Sequence, residues 1–540
     1  MKASEAIVRC LEAQDIKLVF GYPGATVVPI YEVLRTSNIT HILSRHEQAV
    51  GHSANGYARI TGKPAVCFAT SGPGATNIIT SIATAYMDSI PLVVITGQVK
   101  LSNVGKDVFQ EADITGSTEC FTKYSYLVKD AKSLPKIIKE AFHIAGSGRP
   151  GPVLIDVPLD LQDEEIGEFD YNAINIDIRG YKPTYKGHKG QIKKVIDKLN
   201  ISKRPLLCIG GGVKLGFAKE EANNLSIKAK IPIVYTMMGK DSVYEDSEYV
   251  IGQIGSHGKQ LANKAINEAD LIVFVGTRIG DRSMAQCEGI EKKATIIHID
   301  IDPAEIGKNI RSSIPVVGDC KNILSEMIDN INELNTNSWI DSLTLEKRKL
   351  VLSEPSKDGF VNAKKVIEKI SNIASNNAVL VTDVGQNQIW SAHKFDIVGN
   401  RRFLTSGGLG TMGYSIPTAV GARFAADVDT QVISVMGDGG FQMSMFELGT
   451  IMEHNLNLKL ILLNNDGLGM VREMQNRMYQ NPFGTIFAKS PDFIKLTEAY
   501  GIKCKRVYKD SDAANAIKEA LDYVGPYLLE FIVDPSEETL

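Results

Sequence analysis

Short apolar, β-branched runs alternate with stretches of helical periodicity along the whole chain. The runs are continuous rather than alternating, as expected of strands buried on both faces in parallel sheets flanked by helices. Three blocks emerge. The first predicts strands at residues 17–20, 40–43, 65–69, 92–96 and 153–157 and closes near Asp160, with an acidic, turn-rich segment at 163–180 behind it. A hydrophilic linker, 181–190, leads to a second block with strands at 205–209, 231–236, 271–275 and 295–300. That block fades through 330–337 and the charged stretch 345–357. The third begins at Phe360 and holds strands at 378–382, 432–436, 459–463 and 527–532. The expected fold is α/β, with three doubly wound parallel-sheet domains at residues 1–165, 190–330 and 358–540. No tandem repeat is present. One echo, Thr70-Ser71-Gly72-Pro73-Gly74-Ala75-Thr76 against Thr405-Ser406-Gly407-Gly408-Leu409-Gly410-Thr411, reads first as chance likeness of glycine-rich turns, although a shared fold for the first and third blocks would also produce it.

Composition narrows the function. The 540 residues are too many for one ordinary domain, and 44% hydrophobic residues suffice for several cores. A net charge of −4 without a basic run argues against a nucleic-acid surface. Seven scattered cysteines (10, 67, 120, 208, 287, 320 and 504) form no Cys-x-x-Cys pair, which fits a reducing compartment with neither zinc site nor disulfide framework. The N-terminal segment is an amphipathic helix running into a strand, unlike a signal or transit peptide, and no apolar stretch reaches 18 residues. A soluble, cytoplasmic protein without a membrane partner is expected.

The stretch 432–470 carries the most chemistry. An apolar run ends in Gly437-Asp438-Gly439-Gly440, a helical segment follows, and a second run ends in Asn464-Asn465. In a parallel sheet both tips lie at the carboxyl edge, where such folds bind ligands. Glycines admit phosphate oxygens close to the backbone, and the helix start behind them favours anions. Asp438 and Asn465 offer hard oxygens suited to Mg²⁺. Either piece alone is more often a turn or a helix cap. The pair, with 24 residues between Gly439 and Asn464, predicts a metal-bridged diphosphate site and matches the thiamine-diphosphate signature.

Block one carries Gly21-Tyr22-Pro23-Gly24 after one strand and Arg45-His46-Glu47-Gln48 after the next. A carboxylate at a strand tip can serve as acid or base if burial raises its pKa, although a lone glutamate there is usually a surface or cap residue. Glu47 shares a sheet edge with Ser71-Gly72-Pro73-Gly74 and Gly97-Gln98-Val99. Together with GYAR (56–59), ATSGPGATN (69–77), AYMDSIPLVVITGQV (85–99), FQEADI (109–114), GRPGPVLIDVP (148–158), HIDIDPAEIGKN (298–309), GGLGTMGYSIPTAVGA (407–422) and GMVRE (469–473), these motifs resemble the acetohydroxyacid (acetolactate) synthase catalytic subunits of the thiamine-diphosphate enzymes, in collinear order over nearly the whole chain.

The resemblance implies roles. Glu47 would hydrogen-bond the aminopyrimidine of thiamine diphosphate and so drive removal of its C2 proton, with Tyr22 and Pro23 nearby. Met412 would enforce the cofactor's V shape, and the Gly410 carbonyl would hold its 4′-amino group. Asp438, Asn465 and the Gly467 carbonyl would bind Mg²⁺. Gln386, Asn387, Gly437, Gly439 and Gly440 would line the diphosphate. Gln110 would position the intermediate or the acceptor. Lys123 is placed near the substrate entrance, although a solvated lysine is the commoner outcome for such a residue. Blocks one and three each hold half of this site, and in the family the halves come from different subunits. A homodimer or dimer of dimers is therefore expected, and a small regulatory subunit is a further partner.

Block two has Gly210-Gly211-Gly212 after one strand, Gly276-Thr277-Arg278 after another and Asp300 at a third tip, a weak dinucleotide signal without the full Gly-x-Gly-x-x-Gly. The resemblance makes this an FAD-binding domain, with Arg149, Gly211, His257, Arg278, Arg282, Asp300 and Asp319 as flavin contacts of no net redox role. The sequence departs from the family at four places. Arg278-Ile279-Gly280-Asp281-Arg282 lacks the family's first acid and aromatic, and Asn387 replaces a histidine. Met474 stands where biosynthetic members carry the tryptophan linked to preferring 2-oxobutyrate, and the sequence ends where relatives continue over the site. A flexible thioether fills space less specifically. The expected activity is acetolactate synthesis, the first shared step of branched-chain amino-acid biosynthesis: pyruvate is decarboxylated and its two-carbon unit passed to pyruvate or 2-oxobutyrate. The alternatives are a related carboligase, a 2-oxoacid decarboxylase or oxidase, and a non-catalytic cofactor-binding homologue.

Overall fold

The computed structural model describes residues 1–285, 289–349, 357 and 359–540. Cys287, residues 350–356 of the charged stretch and residue 358, where the third domain was expected to begin, lie outside the described residues. The eighteen described strands form three six-stranded sheets. The first holds β1 (Leu18–Gly21), β2 (Thr40–Leu43), β3 (Ala65–Ala69), β4 (Leu92–Gln98), β5 (Tyr124–Leu127) and β6 (Pro152–Pro158). The second holds β7 (Pro205–Ile209), β8 (Ile233–Tyr235), β9 (Val250–Gln253), β10 (Leu271–Val275), β11 (Thr295–Asp300) and β12 (Ile314–Val317). The third holds β13 (Val379–Thr382), β14 (Arg402–Leu404), β15 (Val432–Gly437), β16 (Leu458–Asn464), β17 (Lys503–Val507) and β18 (Tyr527–Ile532). The central strands β3, β4, β6, β7, β10 and β16 are buried along their full length, which explains their unbroken apolar runs.

The first and third sheets have the same order, β2-β1-β3-β4-β6-β5 and β14-β13-β15-β16-β18-β17. The shared fold is therefore real, although the glycine-rich echo does not reflect it: Thr70 follows the third strand of its sheet and Thr405 the second of its own. The second sheet runs β12-β11-β10-β7-β8-β9, the dinucleotide-binding order with its switch point between β7 and β10.

The chain forms two compact units. One comprises residues 1–181, 379–388 and 404–536; the other comprises 182–378, 389–403 and 537–540. In the first unit, helices Glu47–Thr61 and Ser415–Ala425 cross at backbone contact. A side chain at Gly56 would stand 2.0 Å from the Thr418 carbonyl, and one at Gly421 would stand 1.8 Å from that of Ser53. Ser53 Oγ donates to the Pro417 carbonyl at 2.9 Å beside this crossing. Glycine on each helix lets the two segments approach this closely. Among the described residues, no helix is long and apolar enough to cross a membrane.

Candidate active site

Strands β15 and β16 pair in parallel with Gly437 opposite Leu463, so Asp438 and Asn465 follow adjacent tips. Asp438 opens the helix Asp438–Ser444 and is fully buried. Its Oδ2 accepts the Gly467 N–H at 3.0 Å, while Oδ1 is buried with no partner. Burial pushes its carboxyl up to about 7. An orphaned carboxylate oxygen in such a place suits a cation. The expected ligands are one carboxylate, one carboxamide and one carbonyl, so the residues present fit Mg²⁺ without forming a cluster of acids and histidines; none with three His, Cys, Asp or Glu exists among the described residues.

The loop after β14 brings Met412 over this clamp. A Cβ at Gly439 would lie 3.4 Å from Met412 Cε and 2.8 Å from Leu468 Cδ2. Met412 is only half-buried, so it is not a core methionine. Gly410 has φ +76° and open space where a side chain would stand. Asp383 holds the loop from below: its Oδ1 accepts the Gly413 N–H and its Oδ2 the Ser415 N–H, both at 3.0 Å. A side chain at Gly440 would meet Asp383 Oδ1 at 2.6 Å. Asn387 sits beside Gly437, with its Oδ1 buried and unpartnered. Gln386 accepts from Asn465 Nδ2 at 3.1 Å and donates to Glu473 Oε2 at 2.9 Å.

Glu47 begins the helix Glu47–Thr61 behind the His46 cap, whose Nδ1 accepts the Gln48 N–H. An acid in the first turn is favoured by the helix dipole. Glu47 is 9% exposed, and its Oε2 accepts from Asn77 Nδ2 at 3.0 Å. Gly74 lies against its other oxygen. The approach to Glu47 is gripped by the segment behind Asp438. The Glu447 carboxylate accepts the Arg45 N–H at 2.5 Å, Arg45 pairs with Glu453 at 2.5 Å, and the His46 ring lies 5.6 Å from that of Phe446.

Gln110 adopts φ +58°, and its Cα lies 2.8 Å from where a side chain at Gly72 would begin. Its loop is tied to β4, where Gln98 donates to the Ala112 carbonyl at 2.9 Å and to the buried Asp156 at 2.8 Å. Tyr22 and Pro23 are exposed at the tip of β1. Within one chain, among the described residues, no hydrogen bond joins Glu47 to Asp438, Asn465 or Met412. Sequence reasoning missed Asn77, Asp156, Asp383, Glu447 and Glu473. Of these, Asn77, Asp156 and Glu473 fell inside quoted motifs, Glu447 inside the stretch 432–470, and Asp383 in neither.

Two substrate positions differ from each other. Lys123, expected near the substrate entrance or, more commonly, in solvent, is not a solvated lysine. Its ammonium is held by the Ile144 carbonyl, the Ser147 carbonyl at 2.7 Å and Tyr181 Oη at 2.8 Å, because the carbonyl end of a helix attracts a cation. Met474 is 47% exposed on helix Gly469–Tyr479.

In the second unit, the loops after β7 and β10 meet at the switch point, where the Gly212 N–H donates to the Gly276 carbonyl at 2.9 Å. Gly211 opens the helix Gly211–Leu215, and Arg278 is half-buried beyond β10. Asp319 caps the helix Cys320–Asn330, and Asp300 accepts the Asp302 N–H at 2.9 Å. The His257 carbonyl accepts from His393 Nε2 at 2.6 Å, and Arg282 is largely exposed. Arg149 belongs to the first unit, where it donates to Ser89 Oγ at 2.9 Å.

A buried, orphaned carboxylate oxygen and glycines at one sheet edge, with a methionine leaning over them, are the arrangement expected of an enzyme that binds thiamine diphosphate. Comparisons agree. Thiamine pyrophosphate enzyme family models match residues 1–117 (N-terminal TPP binding domain), 192–327 (central domain) and 383–531 (C-terminal TPP binding domain). A protein of Methanocaldococcus jannaschii described as a "probable acetolactate synthase large subunit" is 43% identical, covering 99% of this chain and 93% of its own. One of Methanococcus aeolicus with the same description is 41% identical, covering 99% and 92%. The acetolactate synthase large subunit of Cyanidium caldarium is also 41% identical, over 98% and 93%. The chain belongs to the thiamine pyrophosphate enzymes, in the family of acetolactate synthase catalytic subunits.

Proposed function

We propose that this chain decarboxylates pyruvate and joins the two-carbon unit to a second 2-oxoacid, giving acetolactate from pyruvate or acetohydroxybutyrate from 2-oxobutyrate. This is the first shared step of branched-chain amino-acid biosynthesis. Thiamine diphosphate, when bound, supplies the electron sink for decarboxylation. The single observation that carries the proposal is the buried, orphaned Asp438 oxygen at the strand tip beside Gly467, with Met412 above Gly439.

In this reading Asp438, Asn465 and the Gly467 carbonyl would hold Mg²⁺, and Gln386, Asn387 and the glycines 437, 439 and 440 would line the diphosphate. Met412 and the Gly410 carbonyl would seat the cofactor. Glu47, oriented by Asn77, would hold a proton at the aminopyrimidine, with Tyr22 and Pro23 beside it. Gln110 orients the bound oxoacid. Residues 1–165 and 358–540 thus divide the site between pyrimidine and diphosphate. The resemblance, which divides the two halves of the site between subunits, favours a homodimer as the smallest working form. The relatives are described as large subunits, which favours a small regulatory partner.

For residues 190–330 we infer an FAD-binding role. The strand order and the meeting of the two glycine loops at its switch point support it. Free thiols at Cys10, Cys67, Cys120, Cys208, Cys320 and Cys504 favour the cytoplasm. The test is reconstitution of cofactor-stripped protein. Acetolactate should form from pyruvate only with both thiamine diphosphate and Mg²⁺, and a flavin spectrum should accompany the purified protein. Turnover without either cofactor would defeat the proposal.

A further inference from the structure

We propose that Glu473 sets the polarity of the metal site by fixing, through the Gln386 carboxamide, which end of Asn465 faces the cation; this rests on the reading that Asp438, Asn465 and Gly467 hold Mg²⁺. Glu473 is 8% exposed on helix Gly469–Tyr479. Its Oε1 takes Arg477 Nη2 at 2.6 Å, and its Oε2 takes Gln386 Nε2 at 2.9 Å. A carboxylate paired with a guanidinium only accepts, so Gln386 must turn its NH₂ toward Glu473 and its oxygen the other way. That oxygen accepts from Asn465 Nδ2 at 3.1 Å. The order of donors and acceptors then turns Asn465 Oδ1 away from Gln386, as the end free to ligate. A carboxamide facing the other way would offer Mg²⁺ two N–H groups.

Two further contacts converge on this relay. A side chain at Gly469 would stand 2.0 Å from Gln386 Oε1 and 2.5 Å from Asn465 Nδ2, so the glycine keeps the passage open. Arg472, next to Glu473, donates to the Asn465 backbone carbonyl at 3.4 Å. Outer partners that orient a metal ligand are typically worth 10- to 100-fold in metal affinity. Glu473 is a positioning residue, acting through Gln386.

The test is Mg²⁺ titration by calorimetry of cofactor-stripped, full-length protein held with excess thiamine diphosphate, with circular dichroism to confirm folding. Glu473→Gln, which can present either end to Gln386, should weaken Mg²⁺ binding about 10-fold. Gln386→Ala should weaken it as well, and the double variant should lose no more than Gln386→Ala alone, because one residue acts through the other. Wild-type affinity in Glu473→Gln, or losses that multiply in the double variant, would overturn the proposal alone. Wild-type protein that takes up no Mg²⁺ would overturn the reading of the metal site and the proposal with it.

Discussion

Arg59→Met tests how the two halves of the first unit hold the loop that carries Met412. The Arg59 and Asp88 side chains are 5% and 1% exposed and meet at 2.6 Å. Arg59 Nε also donates to Asn55 Oδ1 at 2.8 Å, an oxygen that takes the Tyr414 hydroxyl at 2.9 Å. The other Asp88 oxygen accepts the Gly408 N–H at 2.7 Å, and Thr84 and Thr411 share a hydrogen bond at 2.7 Å. Removing the guanidinium strands a buried carboxylate, which costs about 3–5 kcal/mol. Loss of the bond to Asn55 adds about 1 kcal/mol. Adding Asp88→Asn removes the stranded charge, so the double variant should recover about 2 kcal/mol relative to additivity. Both tryptophans, Trp339 and Trp390, lie in the second unit. Urea unfolding followed by far-UV circular dichroism should therefore shift more than unfolding followed by tryptophan emission. Because Gly408 shares the Met412 loop, thiamine diphosphate affinity should fall too. A cost below about 1 kcal/mol, or simple additivity of the two substitutions, would refute the reasoning.

Three other outcomes are expected. Met474→Trp should raise the ratio of kcat/KM for 2-oxobutyrate over pyruvate as acceptor by about 10-fold, the size of effect one methylene makes against added apolar surface; competition assays read it directly. Glu47→Gln should lower kcat/KM about 100-fold or more while leaving thiamine diphosphate binding nearly intact, since it removes a proton site rather than a ligand to the diphosphate. Glu447 is buried, which pushes its carboxyl up to about 7. A raised folded-state pKa adds stability that is complete below the unfolded value near 4.5 and is lost as pH rises through 7. Glu447→Gln keeps an acceptor for Arg45 and does not titrate. Its stability relative to wild type should therefore rise by roughly 3 kcal/mol between pH 4.5 and 8; thermal melts across that range check it.

The central strands of each sheet were legible because they are buried on both faces and must be apolar throughout. The strands missed, β5, β9, β12, β14 and β17, all lie at sheet edges. Strands β5, β12 and β17 are partly exposed, and sequences such as Tyr124-Ser-Tyr-Leu and Lys503-Cys-Lys-Arg-Val carry no apolar run; β9 and β14 are largely buried but only four and three residues long. The placement of Asp438 and Asn465 at adjacent strand tips was legible for the same reason as the strands they follow. Their supports were not. Asp383 and Glu447 are acids without pattern, and they act on amides 30 to 402 residues away in the chain. Lys123 looked solvated because sequence does not show that its ammonium lies beside the end of a helix. Met412 was told from a core methionine only by its half-burial and its place above Gly439.

The most direct test supplies [¹³C]pyruvate to protein holding thiamine diphosphate and Mg²⁺ and follows all carbon by NMR. The account predicts acetolactate as the product, with one CO₂ released for every two pyruvates consumed and no signal when Asp438→Ala replaces the clamp carboxylate. Acetaldehyde, or acetate-level oxidation products, appearing in place of acetolactate would contradict it.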